Sequence, residues 1–464
     1  MPVREVVKAF DEHIKNIPLR FIDLHTTPIS LIERDAVKQK HIAVIESITE
    51  ADIEQHTSYA NQRREDVIRT IVQGAVKYAV LSHTWKEAGE LLYQHMTSPG
   101  SVRDGPGWSK LEQFVKPAKY TFKCQFAWAD TVCIDYETSA DRQAAARSCF
   151  DWFRNAYVCI VYLANTRSLS ELEHDIWFRR GWTLPELLAP IRMKFYGAGW
   201  EPLNVECPKA ENDKADRNFL GVLSKASGIS IEDLRSFLPG SNRVREKLSW
   251  ASRRETHSPE DTAYALISIF VSRMEIDPEE REKAFLRLMY HIIPQSRECD
   301  VFAWAGQRVE GHPAIPSSPA CYGTQHRDRE LLQTPHHYRL CGDRSFSLGY
   351  DHLKIKVIFI DVVLKRAWRV GHTVTSRLHK ASINEVELLS AVLTGAQMAI
   401  GVIDYGWTDD PDKGELREGE CYFGFLLQRS SEKARWEKVD TEKVVFLENK
   451  ETNKHKLQTL HLLC

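Results

Sequence analysis

The sequence predicts an α/β fold in which a doubly wound parallel sheet is followed by a helical extension and a β-rich C-terminal module. Three apolar runs of strand length indicate the sheet, and they lie at 78–82, 126–134 and 157–163. Continuous apolar runs are typical of strands buried on both faces, as in a parallel sheet. Helix-forming segments separate the runs, and this alternation favours a doubly wound sheet. We therefore expect the strand at 78–82 to be central.

Local patterns predict the helices and strands around this sheet. Pro117 should break a helix, because proline removes a backbone hydrogen bond. Ser139 is placed to cap the helix that follows the second strand. Thr183 and Glu186 have the spacing of a capping box, and Pro190 ends their short helix. The predicted elements are, in order, a helix in the first 16 residues, a strand at 19–24, a polar stretch, helices at 65–75, 108–120 and 139–156, a short helix at 183–188 and a strand at 191–196.

The chain of 464 residues is too long for one compact core, so we predict several segments. A helix that starts after Ser258 has an apolar face that includes Leu266, and we expect this face to dock onto the sheet core. Short β-prone runs recur near the end of the chain and indicate a β-rich module. The predicted segments are an N-terminal segment that packs on the core at 1–76, the α/β core at 77–200, a helical extension at 201–305, an irregular linker at 306–345 and the β-rich module at 346–464.

Composition and charge exclude several classes of function. The formal net charge is -2, which gives no drive toward nucleic acid or an anionic membrane, and no apolar run is long enough to cross a bilayer. The ten cysteines lack paired spacing, as expected of reduced thiols, so we expect a cytoplasmic protein. The linker region contains histidines and cysteines whose spacing matches no zinc pattern, and we therefore predict no metal site. These residues are His312, Cys321, His326, His336, His337 and Cys341.

Polar and aromatic residues follow the predicted strands, where a ligand would bind. In a doubly wound sheet the ligand lies outside the carboxyl ends of the strands. Ser82, His83 and Trp85 end the first strand, and Trp85 could stack on a flat ring. A second polar cluster, at 165–167, follows the third strand. The candidate substrate-binding residues are Ser82, His83, Trp85, Asp130, Asp135, Arg180 and Trp182.

Several of these positions also have a structural explanation. Asp130 could lie in the core and pair with Arg142 or Arg180, because buried charges usually occur in pairs. Arg179 and Arg180 could hold a pyrophosphate through arginine forks, or they could form a solvated pair. Glu186 lies on a short helix beside cations and indole rings, and its carboxylate serves either chemistry or the capping box.

Four sequence motifs occur in a fixed order along the chain. They are YAVLSHTW at 78–85, WADTVCIDYETSADRQ at 128–143, WFRRGWTLPELLAP at 177–190 and SWASRRETHSPEDTAYALISIF at 249–270. Together they resemble the heterokaryon-incompatibility (HET) domain family of filamentous fungi, and the resemblance covers roughly residues 17–305. It implies a role in non-self recognition, programmed cell death and fungal innate immunity. It also implies a core related to the Toll/interleukin-receptor (TIR) fold, a flavodoxin-like α/β sheet.

The resemblance also implies a reaction and a candidate catalytic residue. Several proteins with a TIR fold cleave NAD at the nicotinamide–ribose bond, and their catalytic glutamate lies in a helix that resembles the segment at 182–187. Glu186 is the matching position, so NAD is expected as a substrate and no cofactor is expected. The chain departs from the family pattern at Lys86, Tyr136 and Pro185. The alternative is a death-signalling module without catalysis, which acts through self-assembly or through an incompatibility partner protein.

Overall fold

A computed structural model gives the architecture of the protein. It describes residues 3–60, 63–85, 89–98, 100, 104–205, 212–277, 279–296, 298–323, 346–349, 352–362, 373–374, 381–383, 386–389, 392 and 395–463. The chain divides into two compact units, one of Met1–Pro239 with Tyr264–Val271 and one of Gly240–Ala263 with Ser272–Cys464. The first unit contains the predicted α/β core, and the second contains the β-rich end of the chain.

The first unit alternates helices and strands along most of its length. Its described helices are α1 (Arg4–Lys15), α2 (Arg34–Ser47), α3 (Glu50–Ala60), α4 (Arg64–Ala75), α5 (Tyr93–Thr97), α6 (Pro106–Lys116), α7 (Asp130–Cys133), α8 (Ser139–Asn155), α9 (Thr183–Leu188), α10 (Arg217–Ser227) and α11 (Ile231–Ser236). Its described strands are β1 (Arg20–Asp23), β2 (Ser30–Glu33), β3 (Tyr78–His83), β4 (Phe126–Trp128), β5 (Val158–Tyr162) and β6 (Met193–Tyr196). A π-helical turn at Pro117–Thr121 follows α6, and short 3-10 helices lie at Leu169–His174, Ile176–Arg179, Ala198–Trp200 and Asp213–Ala215.

The strands of the first unit form one sheet in the order β2-β1-β4-β3-β5-β6. β3 pairs in parallel with β4 and with β5, and β5 pairs in parallel with β6. β1 joins β4 in antiparallel orientation and forms an antiparallel pair with β2 at the edge. Every residue of β3 is buried, as expected of a parallel strand covered on both faces. The predicted α/β class and the central position of β3 are confirmed.

The order of the parallel strands defines where a ligand would bind. β4, which follows β3 in the chain, lies on one side of β3 in the sheet. The next strands, β5 and β6, lie on the other side of β3. The chain therefore leaves the carboxyl ends of β3 and β5 in opposite directions, which makes a topological switch point. Ser82 is in register with Val161, and His83 with Tyr162, at this point. Crevices at such points hold the ligands of open α/β sheets.

The second core strand is shorter than predicted. β4 ends at Trp128, and residues that were expected to continue it form the one-turn helix α7. Asp130 starts this helix, and its Oδ1 accepts a hydrogen bond from the Thr131 backbone N–H (2.8 Å). A carboxylate that binds a neighbouring backbone N–H takes that N–H away from the hydrogen bonds between strands. This competition explains why β4 ends early. The prediction that Ser139 caps α8 is also wrong, because Thr138 is the N-cap and its side chain makes no capping hydrogen bond.

The polar stretch after β1 forms elements that the sequence pattern does not reveal. It contains β2, α2 and α3. Along α2 the buried residues are Val37 and Ile45, so the apolar positions are too sparse to give a helical period. β2 lies at the edge of the sheet, where none of its residues is fully buried, and it lacks the long apolar run of a central strand.

The second unit is rich in β-strands. Its described helical residues are α12 (Val244–Ala251), the first residues of α13 (Asp261–Phe270) and α14 (Lys283–Ser296), with 3-10 helices at Cys299–Phe302 and Pro319–Tyr322. Its described strands are β7 (Arg308–Val309), β8 (His312–Pro316), β9 (Ser347–Leu348), β10 (His352–Val362), β11 (Thr373–Val374), β12 (Ala381–Ile383), β13 (Val386–Glu387), β14 (Gln397–Val402), β15 (Gly406–Trp407), β16 (Lys413–Leu416), β17 (Cys421–Arg429), β18 (Glu437–Lys438), β19 (Val445–Asn449), β20 (Asn453–Lys456) and β21 (Gln458–Leu463). The main sheet has the order β12-β19-β17-β14-β10-β21 and is antiparallel. Most of the described strands of this unit, β9 to β21, lie after residue 346.

Helical and β-rich segments of the second unit pack against each other. The Arg245 guanidinium on α12 lies 4.7 Å from the ring centre of Phe423 on β17, and its Nε donates to the Ala303 carbonyl (3.0 Å). Lys438 on β18 places its ammonium group 2.8 Å from the ring centre of Trp304. Residues on both sides of position 305 therefore share one packed unit.

Neither a membrane helix nor a metal cluster occurs among the described residues. No helix within these ranges combines the length and the apolar character needed to cross a membrane. The same residues contain no group of three or more His, Cys, Asp or Glu side chains placed to hold a metal ion. His312 contacts the Tyr290 hydroxyl (2.8 Å), and Cys321 contacts the Gln307 carbonyl (3.5 Å). The other residues considered for zinc, His326, His336, His337 and Cys341, lie outside the described residues.

Candidate functional site

Glu186 lies on the short helix α9, and its side chain is turned toward the sheet. The residue is 9% exposed, and its Oε2 accepts a short hydrogen bond from the hydroxyl of Ser82. The Ser82 Oγ in turn accepts a hydrogen bond from the indole Nε1 of Trp177 (2.8 Å). A strand end, a tryptophan and the candidate catalytic carboxylate are thus joined by one buried chain of hydrogen bonds.

Ser82 places this carboxylate at the switch point of the sheet. It is the residue before the last in β3 and is fully buried. Its register partner on β5 is Val161. Because neighbouring residues of a strand face opposite sides of the sheet, Ser82 and His83 point to different faces. Glu186 therefore lies at the carboxyl edge of the central strands, on the Ser82 face.

The capping box predicted for Thr183 and Glu186 does not form. The N-cap of α9 is Trp182, and its side chain makes no capping hydrogen bond. The Thr183 hydroxyl donates to the carbonyls of Trp177 and Arg180 in the preceding segment. Because Thr183 is already the first helical residue, Glu186 falls one position too late for a reciprocal cap. A capping role therefore does not explain the position of Glu186.

Two buried thiols lie near this carboxylate. They belong to Cys149 on α8 and Cys159 on β5. Burial first, and then the negative charge of Glu186, raises the pKa of both thiols well above the usual value for cysteine. The charge of Asp130 raises the pKa of Cys149 in the same way, so both carboxylates lie within electrostatic reach of this thiol. Both thiols therefore stay protonated beside the Glu186 carboxylate.

Asp175 holds Trp177 in place, a role that the sequence analysis did not assign. It is the N-cap of the 3-10 helix Ile176–Arg179, and its Oδ1 accepts a hydrogen bond from the Trp177 N–H (2.9 Å). Its Oδ2 accepts a hydrogen bond from the Thr166 hydroxyl (2.6 Å). The aspartate just before the IWFR segment is the sequence signal for this cap. Thr166, which belongs to the polar cluster predicted at 165–167, therefore supports the site indirectly.

Lys214 fixes the other end of α9. Its Nζ donates to the carbonyl oxygens of Leu187 (2.6 Å) and Pro190 (2.8 Å), which lie at and just beyond the helix C-terminus. Carbonyls at a helix C-terminus lack partners within the helix, so a buried amine stabilises them. Burial lowers the pKa of Lys214 from 10.5 to about 7. No local pattern indicates this contact, because Lys214 lies far along the chain from α9.

Trp85 and Asp130 form a second part of the edge. The indole Nε1 of Trp85 donates to Asp130 Oδ2 (2.7 Å), and the ring meets Tyr136 edge-on at 5.2 Å. Burial raises the pKa of Asp130 to about 6, against the opposing effect of the Trp85 hydrogen bond. Asp130 therefore pairs with an indole and not with Arg142 or Arg180, the partners suggested by the sequence. Trp85 and Tyr136 are each 38% exposed, so this part of the edge is open to solvent.

His83 lies on the opposite face of β3 and is buried. Its Nε2 is 3.9 Å from Glu90 Oε2, and Glu90 in turn binds Lys110 (2.6 Å from Nζ to Oε1). Among the described residues, neither ring nitrogen of His83 has a hydrogen-bond partner. Burial, assisted by the charge of Lys110, lowers the pKa of His83 well below 6.5, so the ring is neutral at physiological pH.

The remaining candidates occupy the flanks of the site. Asp135 follows α7, and its Oδ1 accepts a hydrogen bond from the Glu137 N–H (3.1 Å), which turns the loop before α8. Arg180 and Trp182 lie between the 3-10 helix and α9 and are half-buried. The described contacts of Asp135 do not include Glu186, whereas Ser82 contacts it directly.

The Glu186 arrangement suits the stabilisation of positive charge. A carboxylate enclosed by protein acts on nearby charge more strongly than one in water, because little solvent screens it. Glycosidic bond cleavage passes through an oxocarbenium-like state that needs negative charge near the anomeric carbon. Ser82 and Trp177 hold the carboxylate in one orientation, which is the preorganisation that such stabilisation requires.

Comparisons with known proteins agree with the sequence motifs. Residues 78–175 match the family model described as heterokaryon incompatibility protein (HET). The chain is also similar to the vegetative incompatibility protein HET-E-1 of Podospora anserina, with 32% identity over 225 residues. That match covers 46% of this chain and 16% of the relative, so the chain spans a small part of the relative's length. No solved structure matches the chain. These findings support the heterokaryon-incompatibility family, and the family match ends just before the segment with Trp177 and Glu186.

Proposed function

We propose that this protein acts in fungal heterokaryon incompatibility, as a cytoplasmic death effector whose TIR-like core cleaves NAD. The family match and the similarity to a vegetative incompatibility protein support the biological role. The strand order around β3 supports a flavodoxin-like core of the kind found in TIR domains. Glu186 is the catalytic carboxylate in this proposal.

One observation carries the enzymatic part of the proposal. Glu186 is fixed by Ser82 at the switch point of a parallel sheet, where ligands of such sheets bind. Glu186 does not cap α9, so a capping role does not account for its place at the strand ends. The Ser82 hydroxyl that binds Glu186 is itself held by the Trp177 indole, and this geometry orients the negative charge.

The proposed reaction needs little chemistry beyond this charge. The bond between the nicotinamide nitrogen and ribose C1′ breaks, and its electron pair leaves with nicotinamide. Water then adds to C1′ and releases one proton, so the products are ADP-ribose, nicotinamide and a proton. The pyridinium nitrogen leaves without protonation, so Glu186 has only to stabilise the positive ribose. In the proposal, the substrate contacts around this centre come from Trp85, Asp130, Asp135, Arg180 and Trp182. His83 stays a candidate contact on the other face of β3.

A second candidate is a death-signalling module without catalysis. The observation that favours it is the burial of Glu186, which is 9% exposed and already bound by Ser82. In this case the Ser82–Glu186 pair stabilises the core, and the protein acts through self-assembly or an incompatibility partner. The half-exposed Trp85 and Tyr136 would then offer apolar surface to another chain.

Glu186→Gln separates the two candidates in cells. Gln keeps the side-chain shape but removes the negative charge, so NAD loss and cell death should both disappear at equal protein level. The measurement is viability together with total NAD in a fungal host that expresses the wild type or the variant. Glu112→Gln is the matched control, because Glu112 is exposed on α6 and should retain full toxicity. Death that persists in Glu186→Gln would contradict the enzymatic proposal and favour the assembly candidate.

A further inference from the structure

Trp200 forms an aromatic stack at the carboxyl edge of the sheet. It lies in the turn that follows β6, and its ring is parallel to that of Tyr162 on β5, with centroids 4.2 Å apart and 4° between the planes. Tyr196, the register partner of Tyr162 on β6, contacts the same indole at 6.0 Å. Trp200 and Tyr162 are half-buried, so the indole lies over two strand ends with part of its surface in solvent.

The backbone at Trp200 has a conformation that side chains of this size rarely adopt. Its φ is 66°, and φ of the preceding Gly199 is 78°. A positive φ is an outlier for a bulky residue, and such strain persists only where surrounding contacts impose it. The turn is held by the Gly197 N–H, which donates to the Glu201 carbonyl (2.9 Å), and by the Ala198 N–H, which donates to the Thr166 carbonyl (2.7 Å).

Glycine at 197 is required for this arrangement. A Cβ at that position would collide with the Thr166 carbonyl and would come 2.7 Å from Leu203 Cδ2. The backbone of the turn is thus pressed onto the loop that follows β5. The result is an indole held rigidly over the ends of β5 and β6, and not a side chain on a free loop.

A continuous set of hydrogen bonds connects this turn to Glu186. Thr166 accepts the Ala198 N–H through its carbonyl and donates its hydroxyl to Asp175. Asp175 accepts the Trp177 N–H, and Trp177 then donates through its indole to Ser82, which binds Glu186. The indole of Trp200 and the candidate catalytic carboxylate are therefore fixed relative to each other.

The two groups lie at the same edge but on different faces of the sheet. Tyr162 is in register with His83, and paired residues of parallel strands share a face, whereas Ser82 and Glu186 use the other face. A dinucleotide has two ring systems separated by two riboses and a pyrophosphate. If the reacting ribose lies at Glu186, the distant ring crosses the edge of the sheet toward the Tyr162 face.

We propose that Trp200, supported by Tyr162 and Tyr196, is the stacking platform for the adenine ring of the dinucleotide substrate. The proposal rests on the proposed function, because it names the far-end subsite of the same reaction. Purine rings stack on indole faces, and a rigid, partly exposed indole loses little conformational freedom on binding. In this role, the strained backbone at Trp200 holds the indole over Tyr162, and the solvent-exposed part of the indole receives the adenine.

Ligand binding to purified Trp200→Ala and Trp200→Phe tests the platform separately from catalysis. Calorimetric titration with ADP reports on the adenine end, and titration with nicotinamide mononucleotide reports on the other end. We expect Trp200→Ala to weaken ADP binding by roughly 5- to 150-fold, the range that base–aromatic stacking gives on alanine substitution. Trp200→Phe should recover most of the ADP affinity, and nicotinamide mononucleotide should bind all the proteins alike. Tyr120→Ala, at a remote residue with 64% exposure, is the control.

NAD kinetics complete the test and separate its outcomes. Trp200→Ala should raise KM for NAD by a similar factor and leave kcat within about threefold, because stacking at the far end acts mainly on binding. If the wild type cleaves NAD and Trp200→Ala has the same KM for NAD and the same affinity for ADP as the wild type, the platform would be overturned. The proposed function would remain intact. If ADP binding depends on Trp200 but the wild type cleaves no NAD, the platform would stand and the proposed function would be overturned. A wild type that neither binds ADP nor cleaves NAD would overturn both, and a variant that only loses stability would show a structural role.

Discussion

Ser82 is the residue on which the account of the site depends. Its hydroxyl oxygen accepts a hydrogen bond from the Trp177 indole N–H, and its O–H donates one to Glu186, so it sets the orientation of the carboxylate. The sequence placed Ser82 and Glu186 among the candidate residues because both lie in recognisable motifs. It did not indicate their contact, because a hydrogen bond between residues so far apart in sequence depends on how the strand and helix pack. The partner of Asp130 could not be predicted from the sequence either, since it is Trp85 and not an arginine.

Ser82→Ala tests this residue-scale claim. The substitution removes a buried hydrogen bond to a carboxylate, and bonds to charged groups contribute about 1.5–3 kcal/mol to stability. We expect the free energy of unfolding to fall by about that amount, measured by urea denaturation. Ser82→Thr retains the hydroxyl and should lose less. A change below about 0.5 kcal/mol for Ser82→Ala would show that the contact does not hold Glu186 in place.

α9 is the element that presents Glu186, and both of its ends are tied down. Before its start, Asp175 fixes the 3-10 helix, and at its end Lys214 binds the carbonyls of Leu187 and Pro190. The helix itself could be predicted, because Thr183 and Pro190 bracket an apolar run. Its anchors could not, since they lie in segments without a periodic pattern. The short β4 was mispredicted for a related reason: the apolar run continues into α7, and length alone cannot separate a strand from a buried helical turn.

Lys214 should make stability depend on pH in a defined direction. Its pKa is about 7 in the folded protein and 10.5 in the unfolded chain, so the unfolded chain holds one more proton between these values. Stability should therefore rise with pH above about 7 through this group. Between pH 6.5 and 8.5 the free energy of unfolding of the wild type should rise by roughly 1–2 kcal/mol relative to that of Lys214→Met. Each extra proton on the unfolded chain contributes about 1.36 kcal/mol per pH unit. Equal pH dependence of the two proteins in urea titrations would contradict the lowered pKa.

The apolar face of α13 gives a second prediction for an element. Leu266 is 2% exposed and lies in the part of α13 that groups with the first unit. Leu266→Ala should cost roughly 2–5 kcal/mol in the free energy of unfolding, the usual range for a buried leucine. Ile191→Ala, at a residue with 56% exposure, should cost less than about 0.5 kcal/mol. A loss below about 1 kcal/mol for Leu266→Ala would show that this face contributes little to packing.

For the whole molecule, the sequence predicted the α/β core and the β-rich end because both depend on runs of apolar residues. α2 and α3 were not predicted, and in α2 the buried positions are sparse. Residues 240–263, which the sequence analysis placed in a helical extension, group with the β-rich unit. That grouping rests on tertiary contacts such as Arg245 on Phe423, which no local pattern encodes. The division of the chain into the segments predicted at first stays a prediction.

The central claim is that Glu186 makes the α/β core an NAD-cleaving enzyme. Its most direct test uses the purified full chain at high protein concentration and measures by chromatography the nicotinamide that is released from NAD. The account predicts steady nicotinamide release by the wild type and by Glu112→Gln, and a fall of at least about 100-fold in Glu186→Gln, as expected when a stabilising charge is removed. Equal release by the wild type and Glu186→Gln, or none by either protein while both are folded, would contradict it.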